Sequence, residues 1–401
     1  MWIDMWNEDI EFLKETLISK HKNLFFNITR ESFENSIKEL KSRIENLDYN
    51  DMKVEISRVI ASIGDAHTAV KLPMNYLLPL EFYWFKEGIY VIKTLGEYKE
   101  LKYCRVVEIN NVPINEVLEE LTEIISHENK SYLKANIVKY LQAVEILYGL
   151  MIVDDIGNFS MKFEGLNGEI KTRNINSLDI NKYNKLLLLD SENKEQSNMN
   201  KNDKEVFNKI PLYRKNNHKN YWFEYLEEKQ ILYFKYNSCR DVLEESIEDF
   251  TKNIIKFMEE NNVNKLVVDL RNNTGGDSRL LEPFIKYVQK NDKINDNEKL
   301  FVVIGRDTFS SALLNAFSFK NNTNAILIGE PSGGKPNCYG EIEKFTLPNS
   351  KFLITYSTEY YNLIEDDNRD ALLPDINVEV GIYDFINGKD PVLEMLEKEN
   401  Q

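Results

Sequence analysis

The chain of 401 residues has little of what marks several large protein classes. Its three cysteines, Cys104, Cys239 and Cys338, are far apart and odd in number. They predict neither a disulfide framework nor a zinc site, and they favour a reducing compartment. No basic run is present, and the net charge of −16 argues against nucleic acid as a partner. The longest apolar runs, such as 146–153, are far too short to span a bilayer.

The amino terminus also lacks the positively charged and then apolar segment of a secretory signal, since MWIDMWNEDIEFLKE is acidic. We therefore expect a cytoplasmic protein without a membrane span, or an exported one if a leader has been removed. The 42% of apolar residues are enough for buried cores. The length predicts about two to three domains.

Hydrophobic spacing divides the chain into four predicted regions. They are a helical region, a β-rich module, a β-rich stretch with a polar loop, and a region of alternating strands and helices, at residues 1–75, 76–150, 151–220 and 221–401. In the first region Asp51 is predicted to cap the third helix, which ends at Gly64. The polar loop is expected from about 190 to 220. The last region predicts an α/β fold with a parallel-rich sheet and crossover helices.

The strands of the last region are followed by three loops that carry glycine and polar residues. NTGG follows LVVDLR, RDTFSS follows LFVVIG, and PSGGK follows AILIGE. Ligands bind at the carboxyl ends of parallel strands, so we expect a functional site there. Ser310 and Ser311 would stand in the first turn of a helix, where free amides favour negative charge. The pair fits either an acyl-transfer nucleophile or an ordinary helix start.

The paired glycines Gly275 and Gly276 allow a main-chain amide to approach a ligand closely, although an ordinary turn has the same pattern. A second oxyanion donor is expected from this loop. Asp269 and Arg271 stand at the end of the preceding strand. They are placed to pair and to hold the loop, which is a structural role.

Two residues are candidates for a general base. His67 follows a helix end and has Asp65 and Thr68 beside it, which suits a histidine oriented by a carboxylate or a hydroxyl. Lys335 follows two glycines, and a desolvated lysine also accepts protons. Both His67 and Lys335 also fit the alternative of an ordinary loop residue without a chemical role. The remaining histidines have no such neighbours and are predicted to have no chemical role: His21, His127 and His218.

Five motifs, in order over most of the chain, resemble the tail-specific or C-terminal processing serine peptidases, including the tricorn-core branch. SIGDAHTAV is similar to the family's "GD-x-HT" element, LVVDLRNNTGG to "DLR-x-N-x-GG", and TFSSALLNA to the nucleophile element. LIGEPSGGKPNCYG is similar to the "GE-P-T-x-G" loop and LLPDINVEV to the closing "PD-x-x-V" segment. The resemblance implies a crotonase-like catalytic core, a peptide or protein substrate, and neither cofactor nor metal.

The resemblance also implies that Ser310 is the nucleophile and that the amides of Ser311 and of Gly275 or Gly276 bind the oxyanion. In the processing-peptidase branch the base is a lysine 25 positions after the serine, which is Lys335 here. In the tricorn branch it is the histidine of the "HT" element, here His67. We favour His67, because its motif is intact and because proline follows Lys335 where the lysine branch usually has glycine.

The tricorn pattern orients its base with a serine directly before the histidine, where this chain has Ala66, and with a glutamate before the final Pro-Asp. Glu365 is the candidate for that glutamate, with Asp366 and Asp367 as alternatives. VVEINNVPINEVLEEL resembles the end of a PDZ-like module, but the usual stretch before it is absent. The β-rich module is therefore expected to be a degenerate PDZ-like one.

Two other functions fit the same scaffold. One is a catalytically inactive binding protein for a peptide or an apolar ligand, consistent with Ala66 and with the incomplete PDZ-like stretch. The other is a crotonase-type acyl-CoA enzyme, which shares the fold class but is disfavoured by the paired serines. The favoured function is that of a serine peptidase.

Overall fold

The computed structural model describes residues 1–197, 210–365 and 369–398. The α-helices are α1 Trp2–Lys20, α2 Arg30–Arg43, α3 Tyr49–Ala61, α4 Ile114–Glu123, α5 Lys130–Gln142, α6 Val144–Gly149, α7 Ile180–Ser197, α8 Ile247–Glu260, α9 Glu282–Lys290, α10 Ser311–Asn322, α11 Ile382–Ile386 and α12 Pro391–Lys398. Short 3-10 turns lie at Ile44–Asn46, Lys99–Leu101, Leu212–Arg214, Glu227–Lys229 and Ser278–Leu280.

The β-strands are β1 Ala69–Lys71, β2 Tyr76–Leu77, β3 Leu80–Phe85, β4 Gly88–Thr94, β5 Arg105–Ile109, β6 Val112–Pro113, β7 Asn158–Glu164, β8 Ile170–Asn176, β9 Leu178–Asp179, β10 Tyr221–Leu226, β11 Ile231–Tyr236, β12 Lys265–Asp269, β13 Leu300–Ile304, β14 Ile326–Gly329, β15 Asn337–Thr346, β16 Leu353–Asn362 and β17 Ile376–Asn377. The mixed α/β composition and the helical amino terminus were both predicted and are confirmed.

The chain folds into two units, and both are discontinuous in sequence. The first comprises the described residues of Met1–Glu128, Leu133–Asn200 and Asn337–Asn362. The second comprises those of Asn129–Tyr132, Lys201–Pro336 and Leu363–Gln401. The finer division into four regions stays a prediction.

Two helices of the first unit, α2 and α3, begin at a residue whose side chain bonds the free amides of the first turn. Thr29 caps α2 and accepts the main-chain N–H of Ser32 at 3.1 Å. Asp48 caps α3 and accepts the N–H groups of Asn50 at 2.7 Å and Asp51 at 2.9 Å. The prediction that Asp51 caps this helix was wrong. Asp51 is the third residue of the helix and bonds back to the Asp48 amide, as in a capping box.

The first unit contains two larger sheets. One is antiparallel, with the strand order β3-β4-β5-β7-β8, and it includes a hairpin between β7 and β8 that turns at Asn167-Gly168. The other has the order β1-β16-β15. In it β1, two residues after His67, pairs with β16 in the register Ala69↔Thr355. This pairing brings residues of a late hairpin beside the His67 segment, which the sequence pattern did not predict.

The second unit contains the predicted parallel-rich sheet. Its strand order is β10-β11-β12-β13-β14-β17, and each neighbouring pair is parallel except β10 with β11. Every residue of β11, β12 and β13 is buried, as their unbroken apolar runs predict. The crossover helices α8, α9 and α10 connect the parallel strands. The loops after β12, β13 and β14 therefore lie at one edge of the sheet.

The polar loop predicted from about 190 to 220 is in part helical, because α7 continues to Ser197. Its Lys, Glu and Gln residues are good helix formers, although their polarity also fits a loop. Part of the predicted loop, 198–209, lies outside the described residues. Across the described ranges, no helix combines the length and the apolar character needed to cross a membrane.

Candidate active site

Ser310 stands at a sharp turn between β13 and α10. Its main chain has φ 51° and ψ −127°, a conformation that residues with a side chain rarely adopt. The turn is held by the N–H of Phe309, which donates to the Asn273 carbonyl at 3.1 Å, and by the N–H of Ala312, which donates to the Phe309 carbonyl at 3.1 Å. The half-buried side chain of Ser310 therefore projects from a fixed bend at the start of a helix.

The neighbouring hydroxyl, Ser311 Oγ, has a structural partner. It donates to the Gly276 carbonyl at 2.7 Å, and the residue is 8% exposed. The two serines are therefore not equivalent. Ser311 joins the start of α10 to the glycine loop after β12, whereas Ser310 occupies the strained position of the turn.

The glycine loop passes so close to the serines that side chains cannot be accommodated. A Cβ on Gly275, whose φ is +109°, would lie 2.9 Å from Ser310 Cβ and 3.0 Å from Ser311 N. A Cβ on Gly276, whose φ is +141°, would collide with the carbonyl oxygen of Cys239. Steric clash and positive φ both require glycine at these positions.

The amides around this loop are not equally available. The N–H of Gly275 donates to Asn273 Oδ1 at 2.9 Å and is therefore already satisfied. Within the described part of the chain, the N–H groups of Gly276 and Ser311 donate to no other group. An anionic oxygen could therefore accept hydrogen bonds from these two N–H groups.

A buried network of charged side chains holds the start of the glycine loop after β12. Arg271 Nε lies 2.9 Å from Asp269 Oδ2, which is the pairing predicted from the sequence, and Arg271 also binds both oxygens of Asp390 at 3.0 and 2.9 Å. Lys235 Nζ donates to Asn272 Oδ1 at 2.7 Å and to Asp269 Oδ1 at 3.1 Å. Burial lowers the pKa of Lys235 to about 8, against the opposing charge of Asp269.

Lys335 lies in the loop after β14 and is half-buried. The loop is held by the Asn129 side-chain amide, which donates to the carbonyls of Ser332 at 3.3 Å and Gly333 at 3.0 Å. The N–H of Gly333 donates to the Thr308 carbonyl at 3.1 Å. These bonds tie the Lys335 loop to the turn that carries Ser310, within the second unit.

Glu365, the sequence candidate for orienting the base, is exposed in a turn of the second unit. Water screens the charge of an exposed carboxylate, and the orienting role of Glu365 stays a prediction. The alternatives Asp366 and Asp367 lie outside the described residues.

His67 belongs to the first unit and is 4% exposed. Its main-chain N–H donates to Asp65 Oδ1 at 2.9 Å, and its Nδ1 lies 3.8 Å from the same oxygen. Burial lowers the pKa of His67. The Asp65 charge raises it, Lys71 lowers it, and the Tyr339 main chain raises it, leaving it below its usual value. A histidine in this state is neutral at pH 7 and can accept a proton.

Sequence reasoning missed two residues beside His67. His21, predicted to have no chemical role, is buried with Nε2 at 3.0 Å from Asp65 Oδ2. Ser357 donates its hydroxyl to the same oxygen at 2.6 Å. They are separated from Asp65 by 44 and 292 residues, so no local pattern indicates either. Burial alone raises the pKa of Asp65, but its hydrogen bonds and the His67 charge lower it to about 2.

Over residues 1–197, 210–365 and 369–398, no cluster of three or more histidine, cysteine, aspartate or glutamate side chains is arranged to hold a metal ion. The groups of chemical interest are thus the Ser310 turn, the amides of Gly276 and Ser311, the Lys335 loop, and the surroundings of His67.

Comparison with known proteins gives no match in sequence, neither to a protein-family model nor to a curated protein. In structure the chain is similar to mature CPAF, with a TM-score of 0.67 and 13% identity over 99% of this chain and 96% of that one. The photosystem II D1 C-terminal processing protease matches at TM-score 0.39 and 11% identity, over 92% and 93% of the chains. The tricorn protease matches at 0.42 and 13%, over 100% and 37%.

At 13% identity the likeness to mature CPAF establishes a shared fold and nothing further. The resemblance predicted from the motifs is confirmed at that level, because the chain has the fold of mature CPAF.

Proposed function

We propose that this protein is a serine peptidase of the tail-specific type, with Ser310 as the nucleophile and His67 as the general base. The observation that carries the proposal is the Ser310 turn. It combines an uncommon main-chain conformation, a helix start, and two neighbouring amides that donate to no other group among the described residues. This is the arrangement that acyl transfer to a serine requires.

In the proposed reaction Ser310 Oγ attacks the carbonyl carbon of a peptide bond while His67 takes its proton. The carbonyl oxygen becomes an anion bound by the amides of Gly276 and Ser311. His67 then gives the proton to the leaving amine, and the C–N bond breaks to leave an acyl-enzyme. Water, deprotonated by His67, hydrolyses the ester and restores Ser310.

Gly276 rather than Gly275 is the proposed second oxyanion donor. The Gly275 N–H donates to Asn273 Oδ1, and breaking that bond would leave this buried acceptor with only the weak thiol donor of Cys239 at 3.5 Å. The role of Gly275 is then steric, since only a residue without a Cβ fits beside Ser310.

His67 is favoured over Lys335 because of its surroundings. It is buried, its pKa lies below its usual value through burial, and the Asp65 carboxylate lies beside it to favour the imidazolium that forms during attack. A lysine base must first lose its proton, and this requires strong desolvation. Lys335 is only half-buried.

We further propose that the sheet β10–β14 with β17 and its helices is a crotonase-like core. The antiparallel sheet β3-β4-β5-β7-β8 with α4 is proposed as the degenerate PDZ-like module. Support for the second proposal is local: β5, β6 and α4 coincide with the PDZ-like stretch VVEINNVPINEVLEEL. The proposed substrate of the whole is a peptide or a protein.

Labelling with an activated fluorophosphonate tests the nucleophile. The wild-type protein should become labelled at Ser310, and Ser310→Ala should lose the label completely, because the reagent forms a bond to an activated serine oxygen. Ser318→Ala is the matched control, since Ser318 is a half-buried serine on the same helix α10, and it should label like the wild type. Mass spectrometry of the labelled peptide gives the position.

A well-folded wild-type protein that is not labelled would contradict the proposal. It would favour the binding protein on the same scaffold. Label on a serine other than Ser310 would contradict the assigned nucleophile but not the class of enzyme.

A further inference from the structure

Asp65 is a fully buried carboxylate with hydrogen-bond partners on both of its oxygens. Oδ2 accepts from the hydroxyls of Thr68 at 2.5 Å and Ser357 at 2.6 Å, and it lies 3.0 Å from His21 Nε2. Oδ1 accepts the main-chain N–H of His67 at 2.9 Å. A buried carboxylate is tolerated only when its lone pairs are satisfied in this way. Asp65 is therefore held in one orientation by groups from several parts of the first unit.

The hydrogen bonds of His21 define its tautomer. Its Nδ1 accepts the main-chain N–H of Asn23 at 3.1 Å, so the neutral ring carries its proton on Nε2. That N–H points to Asp65 and donates to Oδ2. His21 thus acts as a fixed donor to the carboxylate.

The His21 segment is anchored to the same strands that flank His67. The N–H of Lys22 donates to the Ser357 carbonyl on β16 at 2.9 Å. The ring of Tyr339 on β15 lies 5.5 Å from the His21 ring, and the Tyr339 main chain faces His67. His21, Asp65 and His67 therefore form one connected cluster within the first unit.

Asp65 acts on His67 in two ways. Asp65 Oδ1 accepts a hydrogen bond from the His67 main-chain N–H. This bond fixes the position of the His67 main chain in the turn after α3. The same oxygen lies 3.8 Å from His67 Nδ1, close enough for its charge to favour a protonated ring. Lys71 on β1 opposes this effect, and the Tyr339 main chain on β15 adds to it.

We propose that Asp65 and His21 are positioning residues for His67: Asp65 holds and electrostatically supports the base, and His21 holds Asp65. This inference rests on the proposed function, in which His67 takes the Ser310 proton. In this proposal Asp65 and His21 act on the reaction only through His67. Asp65, the aspartate of the "GD-x-HT" element, then orients the base, which is the role for which the sequence analysis named Glu365.

NMR titration of the imidazoles tests the link between Asp65 and His67 without using activity. The chain has four histidines, so their ring signals can be assigned separately. In Asp65→Asn the pKa of His67 should fall, because the nearby negative charge is lost while burial and Lys71 remain. In the wild type, the His21 ring nitrogens should show the tautomer with the proton on Nε2. An unchanged His67 titration in folded Asp65→Asn overturns the role of Asp65.

Peptidase kinetics test the consequence for catalysis. Asp65→Asn should lower kcat by roughly 10²- to 10⁴-fold with little change in KM, and it should shift the acid limb of the kcat/KM profile to lower pH. A merely structural role would lower the fraction of active enzyme without shifting that limb. A limb that stays in place overturns the electrostatic part of the proposal.

Two substitutions at His21 form a matched pair that leaves Asp65 intact. His21→Gln retains an N–H donor for Asp65 Oδ2 and should keep activity within about threefold. His21→Leu has a similar volume but no donor, and it should lose about tenfold or more. Exposed His218→Gln is the control for a histidine change elsewhere. Equal activity and equal His67 titration in the two His21 variants overturn the role of His21.

Failure of this inference and failure of the proposed function give different results. If a well-folded wild-type protein is not labelled on any serine, the peptidase proposal fails whatever His67 does. If labelling succeeds and His67 titrates identically with and without the Asp65 charge, the peptidase proposal stands and the positioning proposal fails. If Asp65→Asn does not fold, the activity and the His67 titration of His21→Gln and His21→Leu test the positioning proposal in folded enzyme.

Discussion

Ser310 illustrates how one residue is held in an unfavourable conformation by its neighbours. A residue with a side chain in such a region of φ and ψ is destabilised by roughly 1–3 kcal/mol. The bond from Phe309 to Asn273 and the helix bond from Leu314 N–H to the Ser310 carbonyl at 3.2 Å hold it there. The Ser311 hydroxyl adds a third constraint through Gly276. These contacts thus maintain the bend.

At the same scale, the identity of the base can be tested by two alanine substitutions. His67→Ala should lower kcat/KM by about 10³-fold or more, whereas Lys335→Ala should change it only a few-fold, because a base is lost in the first case alone. His218→Ala, at an exposed histidine, is the control. The opposite ranking would assign the base to Lys335.

The pH profile of the wild-type protein is a second test of whether His67 is the general base. The active form of His67 is neutral, and burial holds its pKa below the usual 6.5. Activity should therefore be present above that pKa and be lost as the pH falls through it, with the acid limb below pH 6.5. A limb above 6.5 would be inconsistent with a buried His67 as the base.

The elements around the Ser310 turn were largely predictable, whereas the surroundings of His67 were not. Unbroken apolar runs such as LVVDL and LFVVI identify β12 and β13 locally, and their parallel pairing places the loops that follow them at one edge. His21 and Ser357 reach Asp65 only through tertiary packing. Neither their spacing nor their local composition distinguishes them from ordinary residues.

A similar limit applies to helix ends. Both Asp48 and Asp51 are good capping residues in sequence, and the structure selects the earlier one because Asp51 is then available to complete a capping box. Propensity identifies the set of candidate caps, but the packing of α3 decides which residue begins the helix. The same ambiguity between helix and loop explains the wrong prediction for the polar residues of α7.

The glycine loop after β12 makes a prediction at the level of an element. Gly276→Ala should abolish fluorophosphonate labelling and destabilise the protein by about 2 kcal/mol or more, because a Cβ there meets the Cys239 main chain at a positive φ. Gly168→Ala is the matched control. It also has a positive φ, +81°, but open space around it, and it should cost only about 1 kcal/mol and leave labelling intact.

Denaturant unfolding and the labelling rate are the two measurements. Normal labelling of Gly276→Ala would show that the loop can shift away from Cys239 without loss of the site. That result would remove the Gly276 amide from the proposed oxyanion donors.

For the whole molecule, the net charge of −16 is the dominant long-range property. It should slow the association of acidic peptides relative to basic ones of the same length and apolar content. We expect kcat/KM at low salt to be higher for the basic member of such a pair. The difference should shrink as salt shortens the screening length to about 10 Å or less. A preference that persists unchanged at high salt would point to specific contacts instead of the overall charge.

The discontinuity of both units has a consequence for the order in which the protein is made. The first unit is completed only by β15 and β16, and the second by the segment from Leu363 onward, which includes β17. A chain emerging from the ribosome therefore exposes Ser310 before either unit can close, and it lacks Ser357 as a partner for Asp65. If the proposed peptidase depends on that cluster, it becomes competent only after β16 and the segment from Leu363 onward have been synthesised. Nascent chains are then spared from cleaving one another.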